Sequence, residues 1–211
     1  MAEPHALREP QAVQEPQATP EPHSVLNALD ATAAAEALRR ACGAQSWVQR
    51  MLARRPFSST EALYASADAE WRASTRDDYL EAFGHHPRIG EDLSALRQRF
   101  ASAGHPSTAN LSEREQAGVA GADEATLLAL RDANAAYFRR FGFIFIICAT
   151  GKTAAEMLAA LRARLPNDPD TELSIAAAEH AQITRLRLGG LSTREPQTKR
   201  TPSAPREEKA P

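Results

Sequence analysis

Apolar residues recur through the middle of the chain at the three- and four-residue spacing of amphipathic helices. Ala34, Leu38 and Ala41 share one face, and Trp47, Val48, Met51 and Leu52 make the next stripe. Leu63, Ala67 and Trp71 follow at intervals of four, and Tyr79, Leu80 and Phe83 belong to a short helix opened by Thr75 to Asp78. Later stripes run through Leu127, Leu130, Tyr137, Phe138 and Phe141, and through Met157, Leu158, Leu161 and Leu165, the last of these ended by Pro166. Three polar signals, Ser58 to Glu61, Ser112 to Glu115 and Thr153 to Glu156, have the form of a capping box. In that motif a hydroxyl and a carboxylate satisfy amide groups that the first helical turn leaves unpaired. A final helix is expected from about Asp170 to Leu188, closed by Gly189 and Gly190.

One segment breaks the helical pattern. Phe143 to Ala149 reads FIFIICA, a run as suited to a buried strand as to a buried helix, and periodicity does not choose between them. A lone strand has nothing to pair with, so the expected fold is all-α: a single compact helical bundle with irregular connections.

Composition limits where that bundle lies. Glu-Pro recurs every six residues at Glu3, Glu9, Glu15 and Glu21. Each proline removes a backbone donor and biases its predecessor away from helix. Residues 1–23 hold almost no large apolar side chains, and residues 192–211 have the same Pro-rich, charged character. Both are expected to be disordered, because neither buries enough to offset its ordering entropy. Residues 24–191 then form one domain of ordinary size.

Charge and targeting signals narrow the setting. The net charge is −2, and no basic stripe suggests nucleic acid. No stretch is apolar and long enough for a membrane span, and no secretory or peroxisomal signal is visible. Cys42 and Cys148 are the two cysteines, expected as buried thiols in a reducing cytoplasm.

Chemistry is suggested first by HHPRIG, His85 to Gly90. Pro87 stiffens the turn that carries His86, and imidazole is the side chain best matched to proton transfer near neutral pH. A loop histidine capping a helix end explains the same residues. On the last helix Leu173, Ala176, His180, Ile183 and Arg187 fall on one face, since positions fourteen apart nearly realign at 100° per residue. An arginine on an apolar stripe calls for an anion or a carboxylate, unless it snorkels from the helix end. Glu115 is explained as a capping residue, which leaves one of its oxygens free to face a pocket. Asn134 lies on the Leu127 face and either orders a loop or meets a ligand.

Two tempting motifs fail. ATGKT at Ala149 to Thr153 lacks the glycine that a phosphate loop needs, Ile146 standing in its place. His85 and His86 are adjacent and point apart, and no second cluster completes a metal site.

Taken in order, the motifs resemble the 2-oxo-4-hydroxy-4-carboxy-5-ureidoimidazoline (OHCU) decarboxylase family. The matching stretches are ACGAQSWVQRMLARRPF (41–57), HPRIG (86–90), SEREQAG (112–118), NAAYFRRFGFIFIICATGK (134–152), RLPND (164–168) and ITRLRLGGL (183–191), spread over nearly all of residues 25–191. Ile144 departs from a proline common in the family. The resemblance implies decarboxylation of OHCU to (S)-allantoin in uric acid breakdown, by a cytoplasmic homodimer that uses neither cofactor nor metal. It assigns the catalytic roles to His86, Glu115 and Arg187, and substrate contacts to Pro87, Ser112, Gln116, Phe145, Ile146, Ile147, Cys148 and Ala149. The competing reading is a non-catalytic helical interaction module, which requires no pocket joining those residues.

Overall fold

The computed structural model describes residues 19–87 and 113–193, with side chains over 19–87 and 124–191. The expected N-terminal arm up to residue 18 and the C-terminal tail from residue 194 lie outside the described residues, as does Ser112; so do the side chains of Glu115 and Gln116. The described residues form eight α-helices and no strand: α1 (Pro22–Ala28), α2 (Ala31–Ala41), α3 (Gln45–Ala53), α4 (Thr60–Arg72), α5 (Arg76–Gly84), α6 (Glu113–Phe141), α7 (Ala154–Arg164) and α8 (Pro169–Gly189). A 3₁₀ turn, Gly190–Thr193, follows. Pro22 sits in the first turn of α1, where a missing amide proton costs nothing, so the sequence boundary at residue 23 falls inside that helix.

Local signals set most helix starts. Thr75 and Thr153 both form full capping boxes, with Asp78 and Glu156 as the reciprocal carboxylates. The box expected at Ser58 is shifted by one residue: Ser59 is the N-cap and its hydroxyl accepts from the amide of Ala62. Asp168, ahead of the expected start at Asp170, caps α8 by accepting from the amides of Asp170 and Thr171. The Asn134 amide donates back to the Leu130 carbonyl of its own helix at 2.8 Å, so that donor is used within α6 rather than to order a loop.

α8 runs through the centre. It packs on α2 and α4, while α3 bridges α2, α4 and α5, and α6 lies along α7. Trp47, Trp71, Leu63, Phe83 and Tyr137 fill the joined core. Buried tryptophan brings a donor that needs a partner; Trp47 finds the Ala67 carbonyl at 3.1 Å and Trp71 the Ala177 carbonyl at 2.8 Å. Glu70, also buried, is held by Arg50 at 2.8 Å and Arg54 at 2.5 Å, which fastens α3 to α4.

The FIFIICA run is neither helix nor strand. Residues 144–149 are irregular, and Phe143, Phe145, Ile146, Ile147 and Cys148 are buried. Buried peptide groups must be satisfied somehow, and long side chains help to do so here. Arg164 donates to the Ile146 carbonyl at 2.9 Å, the Cys148 amide donates to the Glu179 carboxylate at 2.7 Å, and Lys152 Nζ donates to the Cys148 carbonyl at 3.0 Å. Arg164 is itself held by buried Glu172, through contacts of 2.6 and 2.8 Å, and Glu172 also accepts from Tyr137 and, at 2.8 Å, from Asn167. The ATGK stretch is a turn through Gly151, at φ +75°, that leads into the α7 cap.

Candidate active site

The irregular segment forms one wall of a cavity of about 370 Å³. Phe145, Ile146, Ile147, Cys148 and Ala149 supply that wall; His86 and Pro87 come from the turn after α5, and Arg187 and Ile183 from α8. His86, Pro87, Arg187 and residues 145–149 thus border one chamber, whereas Asn134 does not line it. Glu115 and Gln116 enter only as helical backbone in the first turn of α6.

His86 and Arg187 meet across 101 residues of chain: a guanidinium nitrogen lies 3.4 Å from His86 Nδ1. Guanidinium can only donate, so Nδ1 is the acceptor and the ring proton belongs on Nε2. His86 Nε2 is buried with no hydrogen-bond partner among the described residues. Burial, with the Arg187 charge and then His85 adding to it, holds the His86 pKa down at about 4. The imidazole is therefore neutral at physiological pH.

Arg187 is anchored from behind. Its Nη1 donates to the carbonyls of Ala41 at 3.2 Å and Arg40 at 3.4 Å, at the C-terminal end of α2. Those carbonyls are the negative pole of the α2 dipole, a site that favours a cation. The apolar-stripe position of Arg187 is explained this way: the side chain reaches solvent, and its head group turns back to the end of a neighbouring helix. Burial shifts its pKa downward, but an arginine keeps its charge at any physiological pH.

Sequence reasoning gave His180 a place on the α8 face and no role. Its ring is fully buried, stacks on Trp71 at 4.5 Å and meets the His86 ring edge-on at 5.1 Å. Nε2 lies 3.1 Å from the Cys42 carbonyl and Nδ1 lies 3.3 Å from the Thr184 hydroxyl. A neutral ring with its proton on Nε2 satisfies both contacts. Burial above all, then His86 and Arg187, lowers its pKa to about 3. A histidine four residues before Thr184 and seven before Arg187, all on one helix face, was the signal available.

His85, the neighbour of His86, turns elsewhere. Gly43 has φ +100°, and a Cβ there would sit 3.0 Å from the His85 ring. The two cysteines are unpaired and buried, and burial pushes the Cys42 thiol up to about 12. Among the described residues no group of three or more His, Cys, Asp and Glu is placed to hold a metal ion, and no helix is long and apolar enough to cross a membrane.

Fold and site together define an all-helical protein with a small chamber, walled by apolar residues, in which one neutral imidazole faces one anchored guanidinium. The chain belongs to the OHCU decarboxylase family, whose profile matches residues 27–189. It is 40% identical over 151 residues to the uric acid degradation bifunctional protein TTL of Arabidopsis thaliana, covering 71% of this chain and 44% of that protein. It is 33% identical over 138 residues to the mouse (Mus musculus) 2-oxo-4-hydroxy-4-carboxy-5-ureidoimidazoline decarboxylase, covering 65% of this chain and 73% of that protein. The chain thus spans less than half the length of the Arabidopsis relative. Among solved structures, an OHCU decarboxylase crystallised in the presence of (S)-allantoin aligns with a TM-score of 0.58 at 34% identity, over 74% of this chain and 96% of that one.

Proposed function

We propose that the protein decarboxylates OHCU to (S)-allantoin in uric acid degradation, acting as a carboxy-lyase without cofactor. The observation that carries this reading is the chamber itself, in which His86 and Arg187 meet against the wall of residues 145–149. Family membership supplies the substrate, and the mouse relative and the allantoin-associated structure carry the matching names.

The chemistry suits such a site. Loss of carbon dioxide from C4 leaves an electron pair that forms a C4=C5 bond, as the pair of the neighbouring ring C=N moves to nitrogen and is protonated there. The resulting enol becomes allantoin when the C4 hydroxyl gives up its proton and C5 receives one. Substrate charge therefore migrates from carboxylate to ring, and an anchored guanidinium beside it stabilises that charge without reorganising. His86 is suited to take the C4 hydroxyl proton at Nδ1, the ring nitrogen that carries the lone pair and faces Arg187. The proton on buried Nε2 needs an acceptor, and Glu115, the family glutamate, is our candidate for it. Ser112 and Gln116 would add polar contacts, and Pro87 with residues 145–149 would exclude water, so that C5 is protonated on one face.

The same reading carries a homodimeric, cytoplasmic enzyme, consistent with two unpaired buried thiols; light scattering in solution tests the dimer. The direct test follows freshly generated OHCU by ultraviolet absorbance and circular dichroism. Faster decay of OHCU with enantiomerically enriched (S)-allantoin is expected. Decay at the uncatalysed rate to racemic product would refute the assignment and favour the interaction-module alternative.

A further inference from the structure

We propose that His180 is a positioning residue for the His86–Arg187 pair, acting through the C-terminal turn of α2. The catalytic side of this proposal rests on the decarboxylase reading above; its structural side stands apart from it.

The three carbonyls at the end of α2 have no partners further along that helix, and one face of α8 supplies donors to all of them. His180 donates to Cys42, and Arg187 donates to Ala41 and Arg40. Thr184, between them, lies 3.3 Å from His180 Nδ1 and 3.5 Å from the Ala41 carbonyl. Its single proton serves the closer imidazole nitrogen, which fixes the tautomer that donates to Cys42. His180 thereby pins the turn on which Arg187 rests, and Arg187 in turn faces His86 Nδ1. The His180 ring also touches His86 directly, edge to face at 5.1 Å, while Trp71 and Phe83 close around it.

An apolar side chain would fill this space without a polar atom to satisfy. A buried imidazole with both nitrogens in use instead specifies geometry, since a half-satisfied network is costly. The ionisable groups facing the pair are His85 from its own turn, His180 and Arg187 from α8, and the Cys42 thiol after α2, with Glu81 of α5 acting on that thiol.

The test compares His180→Leu, which removes the donor, with His180→Gln, whose amide can still reach a carbonyl. The ring resonances of carbon-13-labelled histidine report the His86 titration in the full chain, and turnover of OHCU is measured beside it. In the parent, His86 should titrate near 4. In His180→Leu the guanidinium loses its fixed seat, and the His86 midpoint should rise by the part that Arg187 contributes while burial keeps it below 6.5. The value of kcat should fall at least about 10-fold, less than the roughly 10²-fold of a 1 Å misplacement. His180→Gln should restore most of both. If the leucine variant does not fold, Thr184→Val, which removes one hydroxyl, should move the His86 midpoint the same way. An unmoved His86 midpoint in a folded variant overturns the proposal, whatever the melting temperature does. A parent that does not turn over OHCU defeats the decarboxylase reading instead, and the His86 titration still decides whether His180 holds the pair.

Discussion

Arg187 touches His86 at one end of its guanidinium and the Ala41 carbonyl at the other, at 3.4 and 3.2 Å. A point charge on a flexible stem cannot span both. Arg187→Lys keeps the charge and loses the fork, so kcat/KM for OHCU should fall at least about 10²-fold, the scale of lost positioning. A rate within a factor of two or three of the parent would show that charge alone suffices.

The neighbouring histidines should separate cleanly. His86→Asn should lower the rate of (S)-allantoin formation by about 10²-fold or more, the low end for a lost acid–base group. His85→Asn should change it little, because that ring packs over Gly43 rather than lining the chamber. Equal small effects in an active parent would dismiss His86 as the acid–base residue.

Acid should affect rate and stability in different windows. If neutral His86 is the working form, kcat/KM should hold through pH 6.5 and decline only near 4. Stability behaves otherwise. His86 and His180 bind protons less readily folded than unfolded, so between their folded values, about 4 and 3, and the unfolded value near 6.5 the unfolded chain carries the extra protons. Their contribution is then intact above about 6.5 and is lost as the pH falls below it. Urea midpoints measured from pH 7.5 to 4.5 should therefore drop on this account while the rate persists; replacing His180 by Gln should flatten the drop.

The wall of the chamber depends on a buried charge pair. Glu172 is fully buried and holds Arg164, which holds the Ile146 carbonyl. Glu172→Ala would leave a buried guanidinium without its counter-ion, a loss of about 3–5 kcal/mol for pairs of this kind. Denaturant unfolding measures it, and a loss below about 1 kcal/mol would mean that water or another acceptor takes over.

Much of this architecture is written locally, and that part is legible in sequence. The box at Thr153 needs only a hydroxyl and a carboxylate three residues apart and forms as expected, and Thr75, expected only to open a helix, forms one as well with Asp78. The pattern pointed to Ser58, because Glu61 stands three residues on, yet Ser59 takes the cap and leaves Glu61 in the first turn. The irregular course of residues 144–149 depends on Arg164, Glu179 and Lys152, whose carbonyl and amide partners no periodicity reveals. Arg187 stood out because a charge on an apolar stripe is anomalous within one helix. His180 did not, since a buried histidine is unremarkable until the carbonyls of a second helix are brought beside it.

The seat of Arg187 on the end of α2 bears on ligand affinity. Arginine carries about 2 kcal/mol of rotamer entropy, and a free side chain surrenders much of it when it clasps an anion. Here two contacts with main-chain oxygen restrict those torsions as the domain folds. The immobilisation cost falls on folding rather than on association, and more of each new contact is left to appear as binding. A small, highly polar substrate offers few atoms from which to gain affinity, so a cation stiffened in advance serves it better than one that must be caught.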